Sequence, residues 1–227
     1  MRLSTSLFPL AVLIGLGGLS HCCADTGLAQ VGGKPVPGSF QTLSVNGPRP
    51  QKYYCPVCES GLYPGVVVFF PKPEEASKPL PALLKQIDEV LARYPDARMN
   101  ACAICLDDGG YRKALASDGE TPDQKTLDAA ITQKEGVEGR LKEEAQTLGL
   151  KKVAFAIGMD PAAQKEYEIA ADAYATVIVY SRQHVLATFR FTDEKVDETE
   201  AAKLLKLIDT TAAASQKQAE PKRRKLR

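Results

Sequence analysis

The chain has 227 residues and a formal net charge of +1, with 25% charged and 44% hydrophobic residues. This balance is typical of a globular protein with enough residues for one full core. Because the net charge is close to zero, nothing in the overall composition favours binding to nucleic acid, and we predict no nucleic-acid partner.

Residues 1–24 have the pattern of a removable signal peptide. Arg2 precedes an apolar stretch over residues 7–19, and Cys22-Cys23-Ala24 places small residues before a cut after Ala24. The stretch is shorter than a transmembrane helix requires and no second one follows, so we predict export to the periplasm or the medium without a transmembrane segment. The alternative is a lipoprotein anchored through Cys22, although His21 stands where a lipobox has a small residue.

Composition then divides the exported part into three regions. Residues 25–39 are rich in glycine and proline and are expected to form a flexible lead-in. Residues 40–210 carry the alternating apolar patterns of a folded domain. Residues 211–227 are polar and end in Lys222-Arg223-Arg224-Lys225, which predicts a disordered basic tail.

The first half of the domain contains three predicted strands. Residues 40–45 alternate in polarity and predict a short strand. The continuous apolar run at 66–70 is typical of a central strand that is buried on both faces. A helix is expected to begin near Pro81, because apolar residues follow at helical spacing as far as Tyr94. The apolar run at 99–106 predicts the next strand.

The second half continues the alternation of helices and strands. Residues 109–120 are polar and glycine-rich, as in a surface loop, and a helical region follows to Leu148, with Gly136 and Gly139 as candidate interruptions. The remaining predicted elements are a strand at 153–157, a helix opened by Asp160-Pro161, a hairpin over 176–191 and a last helix around 201–208. This order predicts a mainly parallel central sheet with helices on both faces and a C-terminal antiparallel hairpin.

The order resembles the thioredoxin-like superfamily, nearest to its peroxiredoxin-like and exported thiol-oxidoreductase branches, over residues 40–210. Residues 66–70 look like the family's central strand, and Ile104-Cys105-Leu106-Asp107 looks like the strand after it. Tyr167-Glu168-Ile169 looks like the stretch that leads to the penultimate strand at 176–180. The resemblance implies a thioredoxin-like α/β fold with a thiol active site after the central strand.

Two positions depart from the family's pattern. The family places its nucleophilic cysteine after the central strand, at the start of a helix that stabilises the thiolate. Residues 71–78 read PKPEEASK and contain no cysteine, and the peroxidatic Thr-x-x-Cys pattern is also absent. Ala175 stands where the family has a proline before its penultimate strand. We therefore expect the usual active site to be missing, and with it peroxidase activity.

The cysteines offer a second candidate site. Removal of Cys22 and Cys23 from the six cysteines leaves an even number, which in an oxidising compartment favours disulfides or redox chemistry. Cys55 and Cys58 form a Cys-x-x-Cys motif that precedes the central strand, so they are expected at the opposite end of the sheet from the family's site. Three interpretations stay open: a redox-active pair with Cys55 attacking by analogy with the family, a structural disulfide that can involve Cys102, and a metal site.

Cys102 and Cys105 have the same spacing but lie in a predicted strand. Side chains three residues apart on a strand point to opposite faces, so these two cysteines are not expected to bind one metal. We predict no metal site and no cofactor. Cys105 is expected in the core, and Cys102 nearer to Cys55 and Cys58.

Other residues that carry chemistry support weaker hypotheses. His184 lies in the predicted hairpin turn and is interpreted as solvated rather than as a general base. Asp107 and Asp108 are interpreted as a solvated start of a loop rather than a cation site.

Two functions therefore stay open. The first, which the absent nucleophile and proline favour, is a non-catalytic binding scaffold with structural cysteines and an unidentified protein partner. The alternative is a thiol–disulfide oxidoreductase that uses Cys55 and Cys58. An exposed pair favours the enzyme, and a buried bridge favours the scaffold.

Overall fold

A computed structural model describes residues 33–74, 79–115, 123–192 and 196–224. The predicted signal peptide at 1–24, including Cys22, lies outside the described residues. Within the described ranges, no helix combines the length and the apolar character needed to cross a membrane.

One sheet organises the described part of the chain. Its strands are β1 (Thr42–Ser44), β2 (Tyr53–Tyr54), β3 (Gly65–Phe70), β4 (Asn100–Cys105), β5 (Val153–Gly158), β6 (Ala175–Ser181) and β7 (His184–Phe191). The helices are α1 (Pro56–Ser60), α2 (Leu80–Ala92), α3 (Tyr111–Leu115), α4 (Gln124–Leu148), α5 (Ala162–Glu166) and α6 (Glu198–Arg224).

The strand order is β2-β1-β5-β4-β3-β6-β7. Strands β3, β4 and β5 are parallel, whereas β6 is antiparallel to β3 and to β7, and β1 is antiparallel to β5. The prediction of a parallel centre with a C-terminal antiparallel hairpin is therefore confirmed.

Two apolar layers cover the two faces of the sheet. Val66 and Val68 point into the larger layer, which includes buried residues of α2, α4 and α6; we call this side the α2/α6 face. Val67 and Phe69 point into a smaller layer with Val57 of α1 and residues of α5, and we call this side the α1/α5 face. Strand β3 is buried along its whole length, as its continuous apolar run predicts.

The structure differs from the sequence-based expectation between residues 109 and 148. Helix α3 lies within the predicted loop, and the Asp108 carboxylate accepts hydrogen bonds from the amides of Gly110 and Arg112 at its start. Helix α4 passes through Gly136 and Gly139 without a break. A glycine lowers the stability of a helix by about 1 kcal/mol but does not remove its hydrogen bonds, so a long helix tolerates two of them.

The described parts of the two predicted flexible ends, residues 33–39 and 211–224, are more ordered than expected. Instead of a disordered tail from 211, α6 continues to Arg224, because Ala212 is fully buried and the Ser215 hydroxyl donates a 2.6 Å hydrogen bond to the carbonyl of Ala97. In the lead-in, the amide of Val36 donates to the carbonyl of Gln183 at 2.9 Å, so this part of the chain pairs with the hairpin.

Candidate functional site

The Cys-x-x-Cys motif forms a disulfide at the surface of the molecule. Cys55 and Cys58 are bonded, with their Cα atoms 5.2 Å apart. Pro56 opens the short helix α1 between them, and the Cys55 sulfur accepts a 3.1 Å hydrogen bond from the Cys58 amide. Cys58 is exposed and Cys55 is half-buried. The bridge is therefore within reach of a thiol from outside the molecule.

Contacts distant in sequence hold α1 in place. The hydroxyls of Ser60 and Tyr180 lie 2.8 Å apart, although the two residues are 120 positions apart in the chain. The side-chain amide of Gln183 donates hydrogen bonds to the carbonyls of Val57 and Gly61 at 3.2 and 2.5 Å. The hairpin β6–β7 thus fixes the helix that carries the disulfide.

The helix ends where two parallel strands begin. Gly65, the first residue of β3, pairs with Tyr180, and Asn100, the first residue of β4, donates a 3.5 Å hydrogen bond to the Ser60 hydroxyl. This placement agrees with the expectation that the motif lies away from the carboxyl end of the central strand, where the family has its thiol.

Cys102 lies on the α1/α5 face as a free thiol. Its sulfur is 3.2 Å from the Tyr54 hydroxyl, and the residue is 3% exposed. Burial raises the pKa of the Cys102 thiol to about 12, although the hydrogen bond with Tyr54 offsets part of this effect. Burial also raises the pKa of the Tyr54 hydroxyl. Both groups are therefore neutral at neutral pH. Cys102, a candidate for the disulfide, takes no part in it.

Cys105 lies on the opposite α2/α6 face, also as a free thiol. The residue is fully buried, and its sulfur is 3.7 Å from the carbonyl oxygen of Asp107. Burial raises the pKa of the Cys105 thiol to about 12. The strand alternation predicted for Cys102 and Cys105 is therefore observed. Among the described residues, no group of three or more His, Cys, Asp or Glu side chains is placed to hold a metal ion.

The remaining candidate residues have structural surroundings. His184 follows a two-residue turn, Arg182 and Gln183, whose φ angles are 51° and 62°, and its Nδ1 atom is 2.9 Å from the Arg182 carbonyl. The interpretation of Asp108 as a solvated residue is wrong. Asp108 is buried and accepts a 2.7 Å charged hydrogen bond from Arg112. Its carboxylate therefore anchors the turn into α3.

Sequence reasoning missed the exposed apolar side chains of the segment 53–63, which carries the disulfide. Four large hydrophobic side chains of the described residues are exposed, and three of them, Tyr53, Leu62 and Tyr63, lie within this segment. Arg98 donates a 2.7 Å hydrogen bond to the Tyr63 hydroxyl and lies over the Tyr63 ring. The segment has no strand or helix periodicity, so no sequence pattern marks these residues.

A cleft borders the disulfide on the side of Cys55. Its volume is about 440 Å³, and its lining residues are Ser39, Phe40, Gln41, Tyr53, Tyr54, Cys55 and Asp160. The ring of Tyr53 and the half-buried sulfur-bearing residue Cys55 therefore share one concave surface.

Comparison with solved structures identifies the fold. The chain is similar to a 1-Cys peroxiredoxin of yeast mitochondria, with a TM-score of 0.50 and 12% identity, over 78% of this chain and 74% of that one. It is also similar to a thioredoxin-like protein from Aeropyrum pernix (TM-score 0.46, 13% identity, 74% and 89% covered). A peroxiredoxin-like protein from Aquifex aeolicus gives a TM-score of 0.47 and 10% identity, with 78% and 86% covered.

Sequence comparisons give no closer relative. No protein-family model matches the chain, and no curated protein matches it. The strand order and the similarity to the yeast peroxiredoxin agree with the resemblance seen in the sequence. The chain therefore has the fold of the thioredoxin-like superfamily.

Proposed function

We propose that this protein is a thiol–disulfide oxidoreductase that acts through Cys55 and Cys58. One observation carries the proposal: the pair forms a disulfide whose Cys58 member is exposed. Thiol–disulfide exchange requires that a thiolate reach one of the two sulfur atoms, and exposed disulfides are the ones that undergo it. The exposure of Cys58 is the feature that favours the enzyme over the scaffold.

The reaction is a two-electron exchange with a dithiol partner. A partner thiolate attacks one sulfur of the bridge, the Cys55–Cys58 bond breaks, and the other sulfur leaves as a thiolate that takes up a proton. The second partner thiol, once deprotonated, attacks the mixed disulfide and releases the remaining cysteine. The partner is oxidised to a disulfide, and Cys55 and Cys58 become two thiols.

The two other described cysteines, Cys102 and Cys105, do not take part in this exchange. Cys102 and Cys105 are buried on opposite faces, and burial raises the pKa of each thiol to about 12. Because the thiolate is the reactive form, both are inert at neutral pH. The exchange therefore interconverts the Cys55–Cys58 disulfide and its two thiols, and the buried Cys102 and Cys105 do not form disulfides with either of them.

We infer that the partner is a polypeptide. The exposed side chains of Tyr53, Leu62 and Tyr63 belong to the same segment, 53–63, as the disulfide, and Tyr53 lines a cleft with Cys55. Aromatic and aliphatic side chains grouped on a surface are typical of protein-binding sites, whereas a small dithiol needs no such area.

The proposed setting is an exported protein. The sequence pattern of residues 1–24 supports cleavage after Ala24, and a surface disulfide persists in the periplasm or outside the cell. N-terminal sequencing of the mature protein tests this step, and an acylated Cys22 would replace it with the lipoprotein alternative.

The second candidate is the non-catalytic scaffold. It is favoured by residues 71–78, which have no cysteine at the family's usual position, and by Ala175 in place of the family's proline. The missing cysteine at residues 71–78 also leads us to propose that the protein has no peroxidase activity. A peroxide-consumption assay with a dithiol reductant checks this, and turnover that Cys55→Ser abolishes would overturn it.

A redox titration of the mature protein separates the two functions, with thiols counted at each potential and connectivity mapped by mass spectrometry. We expect reversible reduction of the Cys55–Cys58 pair at a potential above about −300 mV, the range of labile disulfides. A bridge that stays oxidised below this potential in the folded protein would favour the scaffold.

A further inference from the structure

The two sulfur atoms of the disulfide lie in different surroundings. Cys58 is exposed and lies outside the apolar layers of the core. Cys55 is half-buried, packs against the α1/α5 face and lines the cleft. The Cys55 sulfur also accepts the 3.1 Å hydrogen bond from the Cys58 amide. The bridge therefore joins an exposed residue, Cys58, to a half-buried one, Cys55, whose sulfur is hydrogen-bonded.

These differences set the direction of exchange. An attacking thiolate must approach one sulfur, and the other sulfur must accept the electron pair of the broken bond. Access favours attack at Cys58. A hydrogen bond donated to the departing sulfur stabilises the thiolate that forms there, so it favours departure from Cys55. When the bridge is reduced, both effects favour attack at Cys58 and departure from Cys55. When the protein is the attacking dithiol, access alone favours Cys58, because the hydrogen bond stabilises the Cys55 thiolate.

Resting on the proposed function, we infer that Cys58 is the sulfur that forms the mixed disulfide and that Cys55 is the leaving and resolving thiol. This assignment reverses the expectation from the family resemblance, in which Cys55 attacks. The reason is local: Cys55 follows Tyr54, whose hydroxyl contacts the buried Cys102, whereas the Cys58 side chain in α1 is exposed.

Each step balances in both directions. When the partner reduces the bridge, the partner thiolate bonds to the Cys58 sulfur, and the electron pair of the broken Cys55–Cys58 bond stays on Cys55. When a partner disulfide oxidises the two thiols, the Cys58 thiolate attacks that disulfide and displaces one partner thiolate. The Cys55 thiolate then attacks the Cys58 sulfur of the mixed disulfide, closes the bridge and releases the second partner thiolate.

The test uses the oxidised wild-type protein with reduced glutathione as a monothiol probe. Exchange is stopped by acid after short times, the freed thiol is alkylated, and peptides are mapped by mass spectrometry. We expect glutathione on Cys58 and the alkyl group on Cys55, in at least about tenfold excess over the reverse, because both access and the leaving group favour it.

The outcomes separate the role assignment from the function itself. Glutathione mainly on Cys55, or equally on both sulfurs, overturns the assignment and leaves the oxidoreductase proposal standing. No adduct on the folded protein, when the unfolded protein forms one readily, overturns the proposed function.

Two matched single variants give an independent measurement. Reduced Cys55→Ser keeps Cys58, and reduced Cys58→Ser keeps Cys55; each reacts with glutathione disulfide. We expect Cys55→Ser to react faster, because its remaining thiol is the exposed one, and we expect access to outweigh the hydrogen bond that the amide of residue 58 still donates to Cys55 in the other variant. A faster reaction of Cys58→Ser overturns the assignment. Circular dichroism checks that both variants are folded, and if either is not, the wild-type mapping still decides.

Discussion

The two cysteine-bearing ends of the sheet differ in what surrounds their sulfur atoms. At the end where β3 and β4 begin, α1 carries a disulfide with an exposed member, Cys58. At the end where β4 finishes, Cys105 pairs in register with Phe70 and is fully buried. The thioredoxin-like fold has its usual thiol after the central strand, but in this chain the accessible sulfur lies at the other end.

The comparison teaches that sulfur reactivity follows access and solvation rather than position in the fold. Burial raises the pKa of Cys105 to about 12, which keeps it a neutral thiol. Near that end, Glu74 is ion-paired with Arg140. The fold supplies a rigid sheet, and under the proposed function the short helix α1 supplies the reactive group.

The largest expected effect comes from removing the exposed sulfur. Cys58→Ser should lower the rate of thiol–disulfide exchange by at least about a hundredfold, because no bridge can form. Cys105→Ser is the matched control: it should leave the rate unchanged and lower the free energy of unfolding by about 1–3 kcal/mol, because it puts a smaller, polar hydroxyl into an apolar layer. A dithiol-dependent disulfide reductase assay and denaturant unfolding measure the two effects. Equal loss of exchange in both variants would contradict the comparison.

The second prediction concerns alkaline pH. The folded-state pKa of Cys102 and of Cys105 is raised to about 12 from an ordinary value of 9.0. The unfolded thiols therefore ionise first, and the stability that the buried neutral thiols contribute is complete below about pH 9 and lost as the pH rises towards about 12. We expect the free energy of unfolding to fall over this window.

Denaturant titrations at several pH values measure this slope, with the double variant Cys102→Ala, Cys105→Ala as the control. The double variant should be less stable at pH 7 but should show a shallower decline above pH 9. An identical decline in both proteins would mean that these thiols do not cause it.

The central strands and the separation of Cys102 from Cys105 follow directly from the sequence. A continuous apolar run predicts β3, and strand alternation places the two thiols on opposite faces, because both patterns depend only on neighbouring residues. The prediction of a disordered tail from residue 211 is wrong for the described residues, because it used only neighbouring residues. The helix around Ser215 is held by a contact with Ala97, which is distant in sequence and which no local pattern shows.

The candidate site shows the same limit. The spacing of Cys55 and Cys58 identifies a candidate pair, but exposure decides its chemistry, and exposure depends on where α1 lies. The contact between Ser60 and Tyr180 fixes α1 and spans 120 residues. No local pattern encodes it.

The third prediction tests the support beneath α1. In Gly65→Ala the new Cβ would collide with the Tyr180 hydroxyl, whose side chain is buried and cannot move away without cost. We expect a loss of about 1–3 kcal/mol in the free energy of unfolding. The control is Gly136→Ala, where nothing lies within 4 Å of the added Cβ and a gain of up to about 1 kcal/mol is expected from helix propensity. Thermal and denaturant unfolding measure both, and a Gly65→Ala protein as stable as wild type would contradict the collision.

The smallest expected effect concerns the apolar surface beside the disulfide. Leu62 is 72% exposed, so Leu62→Ser should change the free energy of unfolding by less than about 0.5 kcal/mol. If a polypeptide partner rests on this surface, the variant should lose roughly 1 kcal/mol of binding, or about fivefold in the rate of exchange with a protein disulfide. Exchange with a small dithiol should not change, because a small dithiol does not contact Leu62.

The matched control is Leu115→Ser, since Leu115 is 50% exposed but lies on α3, outside the segment 53–63 that carries the disulfide. Rates with a reduced, unfolded protein and with dithiothreitol, measured for both variants, separate the effects. Equal slowing by the two variants, or slowing with dithiothreitol as well, would mean that this surface does not select a polypeptide.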